Sequence, residues 1–356
     1  MTKSAQQFEI QSLDHFTEFV YEQGWTDGLP VFPPTREAIQ RMVDYIGRER
    51  GEVLGSIYPG DGEATIENVA ANCVMAGCLP EYLPVVLAAI ESIVDPDLPL
   101  TTTQSTGAGA LCTIVTGPVV GTLGFRTREW IFGPNGGRAN ATIGRAIRLI
   151  LWNIGRAHPG KLTKGTMGHP ASWSYCIGEE QELSPWTPMH TDFGIGDAES
   201  AVTMLKAGEH SQIAAPLNTV GLNECINILA RGIGRPGVTS SGGKRAFLFV
   251  INPSLAQAFA DAGYSREKLR GVLAERAFKY SYDWQNDSKQ GNAVPVADPY
   301  PQTPSERQTM MAPVLPDEVL VCVGGGVAPR MGQCVAISSR SSAGRPFLTK
   351  AVKFPQ

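Results

Sequence analysis

The chain has 356 residues, of which 42% are hydrophobic and 18% are charged, and its formal net charge is -4. This is the composition of a globular protein that is long enough to bury a full hydrophobic core. Because Lys and Arg are scattered, with no basic block, a nucleic-acid-binding surface is not expected.

The sequence also argues against membrane insertion and secretion. The first residues, MTKSAQQFEIQSLDHF, contain no sustained apolar segment of the kind that defines a signal peptide. The most apolar stretch, YLPVVLAAIESIV, is interrupted by Glu91 and is shorter than the ~20 apolar residues that cross a bilayer. We therefore expect a cytoplasmic protein with no membrane partner.

The cysteine pattern points to free thiols. There are 7 cysteines, an odd number, and no CxxC motif occurs. In a chain of this length the pattern favours reduced thiols over a disulfide framework, and it does not suggest a structural zinc site. The nucleotide fingerprints GxGxxG and GxxxxGK[ST] are also missing from the sequence, so no cofactor is expected.

In chain order, the first predicted elements are two helices separated by a proline-rich loop. Apolar residues at helical spacing predict a helix over 12–23, which Gly24 ends. The stretch GWTDGLPVFPPT follows, and its prolines exclude a helix interior or a central strand. Thr35 is a good N-cap for a second helix over 36–47.

The remainder of the chain predicts an α/β fold with helices packed on a mixed sheet. A pattern of helix, Ser/Thr-Gly segment, strand and turn occurs three times, with the strands ALCTIVT, SWSYCI and RAFLFVI, and a last strand is EVLVCV. The pattern fits an internal duplication, although any α/β protein alternates in this way.

The same reading divides the chain into three segments. We expect an N-terminal helical arm with the proline-rich loop at 1–50, a first α/β lobe at 51–200 and a second α/β lobe at 201–356. The second lobe contains a segment rich in Pro, Asn and Ser at 284–308, which is long enough to be a lid or a connection between lobes.

Cys78 is the first candidate catalytic residue. It lies between a helix that ends near Gly77 and one that Pro80 is suited to begin. A thiol at a helix N-terminus is favoured in its thiolate form and can act as a nucleophile. The alternative is that Cys78 is a small buried apolar residue, as most free cysteines are.

A glycine-rich loop running into a helix, GPNGGRANATIGRAIR, predicts an anion site. Its backbone N–H groups, with Arg138 and Asn140, could hold a carboxylate or a phosphate. In the alternative interpretation, the loop is a tight turn and Arg138 is a solvated or structural residue.

Two further sets of residues could carry out acid–base or nucleophilic chemistry. Glu179 and His190 follow a predicted strand and form a minimal acid–base pair, whereas the neighbouring glutamates suit an exposed surface. Ser241 and Lys244 have the SxxK spacing of a serine nucleophile with a lysine base, although this short motif occurs often by coincidence.

The strand-end segments suggest where substrate binds. If the repeated segments are equivalent, Ser105, Thr166 or His169, and Ser241 face one cavity, bordered by Asp27 and Phe32 of the proline-rich loop. The alternative for Asp27 is a structural role in which it caps a turn. Trp186 is also assigned to substrate binding.

Four stretches, GWTDGLPVFPPT, VMAGCLPEYLPVVLAAIE, GRANATIGRAIRLILWNIG and SPWTPMH, together resemble a poorly characterised bacterial family associated with UGSC-type thiol/selenol proteins. The resemblance covers most of the first two-thirds of the chain. The UGSC or CGSC tetrapeptide does not occur, so the chain resembles the larger, companion module. The resemblance implies a bacterial cytosolic protein of enzymatic function, and it implies no particular substrate.

Together these features predict a small-molecule enzyme of hydrolase or lyase type, without a nucleotide cofactor and with a cysteine- or serine-assisted site. We expect its substrate to be anionic and the chain to form a homo-oligomer. The alternative is a substrate-binding subunit that works with a thiol or selenol redox partner protein.

Overall fold

The computed structural model describes residues 8–100, 109–233, 244–277, 315–341 and 344–355. The chain has an α/β fold and divides into two compact units. Unit 1 contains the described residues of 1–179, 190–206 and 347–356, and unit 2 contains those of 180–189 and 207–346. The segment 1–50, expected to be a separate arm, belongs to unit 1 where it is described.

The elements follow one another along the chain with helices and strands interspersed. In order they are α1 (Leu13–Glu22), α2 (Arg36–Ile46), β1 (Val53–Ile57), β2 (Gly62–Thr65), α3 (Ile66–Ala76), α4 (Leu83–Ile93), β3 (Ala110–Thr116), α5 (Val119–Thr122), α6 (Arg138–Asn153), β4 (Cys176–Gly178), β5 (Ala201–Ala215), α7 (Leu217–Ile233), β6 (Lys244–Ile251), α8 (Pro253–Asp261), α9 (Arg266–Arg276), β7 (Val319–Val323), β8 (Gly332–Ser341) and β9 (Phe347–Ala351).

In unit 1, helices pack on a small mixed sheet and a hairpin. The sheet order is β4, β3, the first part of β5 and β9, with β3 and β4 parallel and β5 and β9 antiparallel. β1 and β2 form a separate antiparallel pair. The core draws on α2, α3, α4 and α6, and α4 is buried on almost all sides.

Unit 2 contains a second apolar core. Its sheet order is the second part of β5, β8, β6 and β7, with antiparallel pairs except for the parallel β6 and β7. The buried strands β6 and β7 supply alternating side chains that pack with α7, α8 and α9. α7 is kinked at Gly221, whose φ is 75°.

The first two predicted helices are confirmed, together with their caps. α1 begins after Ser12, whose Oγ accepts a hydrogen bond from the backbone N–H of His15 at 3.1 Å. α2 begins after Thr35, whose Oγ1 accepts from Ala38 N at 3.2 Å. Such N-caps satisfy a backbone donor that the helix itself leaves without a partner.

Three of the four predicted strands are confirmed as β3, β6 and β7. The prediction over SWSYCI is mostly wrong, because β4 is only Cys176–Gly178 and a 3₁₀ turn occupies Pro170–Ser172. The side chain of His169 accepts a hydrogen bond from Ala171 N, which fixes this turn locally. The structural equivalence of the three repeats and the division at residues 50 and 200 stay predictions.

The proline-rich loop, residues 24–35, is held on α6. Near the end of this helix, Trp152 Nε1 donates to Gly24 O at 2.7 Å and Asn153 Nδ2 donates to Trp25 O at 3.1 Å. About two turns earlier, the Arg145 guanidinium meets the Asp27 carboxylate through two hydrogen bonds of 2.7 and 3.0 Å. The loop is therefore anchored by polar contacts as well as by its prolines.

The Asp27–Arg145 ion pair is largely removed from water. The Asp27 side chain is only 2% exposed and that of Arg145 is 14% exposed. Arg145 also donates to the backbone carbonyls of Leu29 and Pro30. One guanidinium therefore binds the turn at Asp27, Leu29 and Pro30. This geometry fits the structural alternative for Asp27.

We predict that Asp27→Ala destabilises the protein by about 3–5 kcal/mol, the usual cost of leaving one member of a buried ion pair without its partner. Asp44→Ala is the matched control, because Asp44 is an exposed acid on α2 that bonds only to Gln40. Urea unfolding of the two variants and the parent tests the prediction. If Asp27→Ala lost no more unfolding free energy than Asp44→Ala, the ion pair would not anchor the loop.

Candidate functional site

Three arginines of α6 lie close to candidate site residues in unit 1. Arg138 is the first residue of the helix, and Arg145 and Arg148 follow after two and three further turns. Each has a different environment, and the difference decides which of them can hold a ligand.

Arg148 lines a small cavity, which we call the Arg148 cavity. Its volume is about 60 Å³, and apolar residues of β3 and α6 form much of its wall. The polar side chains in the wall are those of Tyr58, Arg148, Thr163, Ser172, Ser174 and Tyr175. A cationic group surrounded by hydroxyls suits an anionic ligand with oxygen atoms.

The Arg148 guanidinium makes no hydrogen bond or ion pair within the described part of the chain. Its only close partner there is the ring of Trp152, whose centroid lies 5.0 Å away. Burial lowers the pKa of Arg148, and the negative charge of Asp27 partly opposes this shift. The Asp27 carboxylate is already occupied by Arg145, however, so the charge of Arg148 is not neutralised by direct contact.

His169 and Tyr175 form a second part of this site. Their rings are stacked with centroids 6.1 Å apart, and Tyr175 lines the Arg148 cavity. Burial lowers the pKa of His169, so its imidazole is neutral at pH 7. Because Nδ1 accepts a hydrogen bond from Ala171 N, the proton of the neutral ring lies on Nε2. Burial also raises the pKa of Tyr175, so its hydroxyl stays protonated.

The candidate nucleophile Cys78 follows Gly77, the left-handed residue that ends α3. Cys78 is buried, and Pro80 begins a 3₁₀ turn over Pro80–Tyr82 that runs into α4. The backbone N–H of Cys78 donates to Cys73 O at 2.9 Å. The neighbouring Cys78 side chain and burial raise the pKa of Cys73 well above its ordinary value.

Arg138 and Phe32 also meet at Gly77. Arg138 Nε and Nη2 both donate to Gly77 O, at 3.0 and 2.9 Å. The Phe32 backbone N–H donates to Met75 O at 3.0 Å, and its exposed ring lies beside the Cα of Gly77. The structure thus brings Phe32, Cys78 and Arg138 together around Gly77. Two N–H donors of Arg138 are already bonded to the backbone.

Asn140, predicted to join Arg138 in an anion site, has its amide engaged with the backbone. Its Oδ1 accepts from Arg126 N at 2.9 Å, and its Nδ2 donates to Arg126 O at 3.0 Å. Since both ends of the side chain are used, Asn140 fixes the loop before α6.

The predicted acid–base pair is buried in unit 1. His190 Nε2 lies 2.9 Å from Gly196 O and Nδ1 lies 2.7 Å from Thr116 Oγ1. A carbonyl only accepts, so Nε2 carries a proton. Glu179 is buried directly after β4, and its backbone N–H donates to Val115 O.

The other predicted residues lie elsewhere. Trp186 belongs to unit 2, where its Nε1 donates to Tyr264 O at 3.1 Å and its ring lies near the guanidinium of Arg266. Ser105, Ser241 and the segment 284–308 lie outside the described residues, as does the side chain of Lys244. The shared cavity of Ser105, His169 and Ser241 therefore stays a prediction.

Sequence reasoning missed Arg145, Arg148 and Lys206. Lys206 lies on β5, is buried and donates from Nζ to Pro99 O at 2.8 Å. Burial lowers its pKa from 10.5 to about 8. The repeated arginines of GRANATIGRAIR were visible in the sequence, but a single lysine in a strand gives no comparable signal.

Comparisons with known proteins leave the α/β class as the most specific assignment. The sequence matches no protein-family model, and none of the curated proteins matches it significantly. Within the described ranges, no group of three or more His, Cys, Asp and Glu side chains could hold a metal ion. In the same ranges, no helix combines the length and apolar character needed to cross a membrane.

We predict that Lys206 makes stability depend on pH between about 8 and 10.5. In this window the unfolded chain holds the lysine proton and the folded chain has lost it, so the free energy of unfolding rises with pH. One pKa unit corresponds to ~1.4 kcal/mol, so the rise is at most about 3.5 kcal/mol.

Chemical unfolding at several pH values, with Lys206→Met as the reference, measures this rise. The variant lacks the titrating group, so the difference between the two proteins isolates its contribution. If the free energy of unfolding changed with pH in the same way in the parent and in Lys206→Met, Lys206 would not be the source of the pH dependence.

Proposed function

We propose that unit 1 binds a small anionic molecule in the Arg148 cavity, and that the chain is an enzyme of hydrolase or lyase type acting on it. The observation that carries the proposal is the guanidinium of Arg148, which faces a cavity and has no hydrogen-bonding or ionic partner among the described residues. Arg148 is half-buried, and a charge partly removed from water without a partner is costly, so an anionic ligand offsets part of that cost.

The charge balance around Asp27 supports this assignment. Asp27 interacts electrostatically with both Arg145 and Arg148, but it can neutralise only one positive charge. Arg145 takes both carboxylate oxygens in a bidentate contact. The second positive charge is left for a ligand, and a guanidinium binds carboxylates through the same two-pronged geometry.

The size of the cavity limits the ligand. A volume of about 60 Å³ is far below the ~300–1,000 Å³ of pockets that enclose drug-sized ligands. A small group such as a carboxylate suits this space better than a nucleotide does. We therefore propose a small carboxylate, or the carboxylate end of a slightly larger substrate.

His169 supplies a hydrogen-bond donor next to a residue that lines the cavity. Its neutral ring carries the proton on Nε2 and is stacked on Tyr175, which lines the cavity. In that form Nε2–H can donate a hydrogen bond to a substrate oxygen. Burial keeps the hydroxyl of Tyr175 protonated.

The second candidate function is a subunit of a thiol or selenol redox system. The observation that favours it is the turn at Gly77, which brings Cys78 back beside Cys73, since the N–H of Cys78 donates to Cys73 O at 2.9 Å. This role does not require the Arg148 cavity, so the two functions can be tested separately.

We predict that Arg148→Met weakens the binding of acetate by roughly ten- to a hundredfold, because charge-assisted hydrogen bonds contribute ~1.5–3 kcal/mol. Methionine retains most of the apolar stem that packs beside Trp152. Titration calorimetry with sodium acetate measures the affinity, and sodium chloride at equal ionic strength controls for screening.

Arg41→Met is the matched control, because Arg41 is an exposed arginine of α2. It should bind acetate as the parent does. Equal affinity of the parent and a folded Arg148→Met variant would refute the carboxylate site.

A further inference from the structure

A second cavity of unit 1 lies between α1, the proline-rich loop and the start of α2, and we call it the aromatic pocket. Its volume is about 640 Å³, which falls within the ~300–1,000 Å³ of pockets that enclose drug-sized ligands. Most of its lining residues are apolar, and four of them are aromatic, namely Phe8, Phe16, Phe19 and Trp25. Such a lining suits a ligand with a hydrophobic body.

Three aromatic rings of the pocket pack on one another. The ring centroids of Phe8 and Phe19 are 4.9 Å apart, and that of Trp25 lies 5.5 Å from Phe8 and 5.4 Å from Phe19. Even so, Phe8 is 41% exposed, and Leu13 in the same lining is 67% exposed. A ligand that covers this apolar surface removes it from water, which favours binding.

The wall formed by the proline-rich loop is held in place before any ligand binds. Trp25 is fixed at its backbone, since its N–H donates to Val20 O at 2.9 Å and its carbonyl accepts from Asn153. Pro33 and Pro34, which also line the pocket, have restricted backbone angles. A preformed wall loses little conformational freedom on binding, so more of the hydrophobic contribution is realised as affinity.

The charged residues of the lining leave one positive charge for a ligand. Two arginines and one glutamate line the pocket, and Arg50 is bonded to Glu67 and to Gln40. Arg36, the first residue of α2, is exposed and makes no hydrogen bond or ion pair with the described residues. The lining therefore carries a net positive charge, which is complementary to a single carboxylate.

We propose that the aromatic pocket binds an amphipathic monocarboxylate, such as a medium-chain fatty acid. Its hydrocarbon chain lies against the aromatic rings and Leu13, and its carboxylate bonds to Arg36. The described residues that line this pocket differ throughout from those that line the Arg148 cavity. The inference therefore goes beyond the proposed function and does not depend on it.

The test is titration calorimetry of the full chain with sodium acetate, octanoate and decanoate, each below the concentration at which it forms micelles. We expect saturable binding of decanoate, with an affinity that rises by up to about fourfold for each added CH₂, because each CH₂ moves from water into the pocket. 1-Octanol has a chain of the same length as octanoate but no charge, and it should bind several-fold more weakly.

Two variants with matched controls separate the polar and the apolar contacts. Arg36→Met should weaken decanoate binding by roughly two- to fivefold, the range of an exposed charge contact, and Arg41→Met should not weaken it. Leu13→Asn should weaken it by roughly three- to tenfold, because apolar contact is lost. Leu162→Asn replaces an exposed leucine outside the pocket and should bind as the parent does.

The proposal is overturned if decanoate binds no more tightly than acetate, or if Arg36→Met and Leu13→Asn keep the parental affinity. Arg148→Met should bind decanoate as the parent does, so a failed acetate site and a failed aromatic pocket give different results. Loss of decanoate binding in Arg148→Met would instead place the ligand in the Arg148 cavity and overturn the proposal.

Other occupants of the pocket give results of their own. Without saturable decanoate binding, sedimentation of the parent with phosphatidylglycerol vesicles would assign this surface to a membrane, and self-association in light scattering would assign it to a second copy of the chain. Either result overturns the proposal. Should a variant fail to fold, as judged by circular dichroism, the chain-length series on the parent decides alone.

Discussion

The ion pair between Asp27 and Arg145 is the constraint on which the candidate region of unit 1 depends. The two residues are 118 positions apart in the chain, and their contact joins a loop of poor intrinsic structure to a long, well-formed helix. Prolines restrict the shapes available to this loop, but they do not select its position. The charge contact and the carbonyl bonds from the same guanidinium select it.

The same contact also determines the electrostatics of its surroundings. By occupying the one carboxylate between them, Arg145 leaves Arg148 with a positive charge facing the cavity. A structural interaction and a candidate binding group are therefore consequences of one arrangement on α6. Replacing the aspartate would disturb both, whereas replacing Arg148 should leave the loop in place.

Local signals in the sequence predicted the local structure well. Thr35 was recognisable as an N-cap because the capping hydrogen bond spans only three residues. The bounds of β3 followed from a continuous apolar run between a glycine-rich segment and Gly117-Pro118. The candidate site could not be predicted to the same extent, because the partner of Asp27 is remote in sequence. The Cys73–Cys78 contact arises from the left-handed turn at Gly77, which the sequence suggested only as a helix end.

The position of β9 has a consequence for how the chain is made. Residues 347–351 pair with the first part of β5, and Lys350 forms an ion pair of 2.6 Å with Asp95, so unit 1 takes its final strand from the far end of the sequence. All of the intervening residues of unit 2 leave the ribosome before that strand exists. Until then, one edge of β5 presents its backbone groups without their native partner, a state prone to pairing with other chains. Completion of the sheet therefore has to wait until residues 347–351 have been synthesised, and chaperone binding during synthesis would be most useful at this edge.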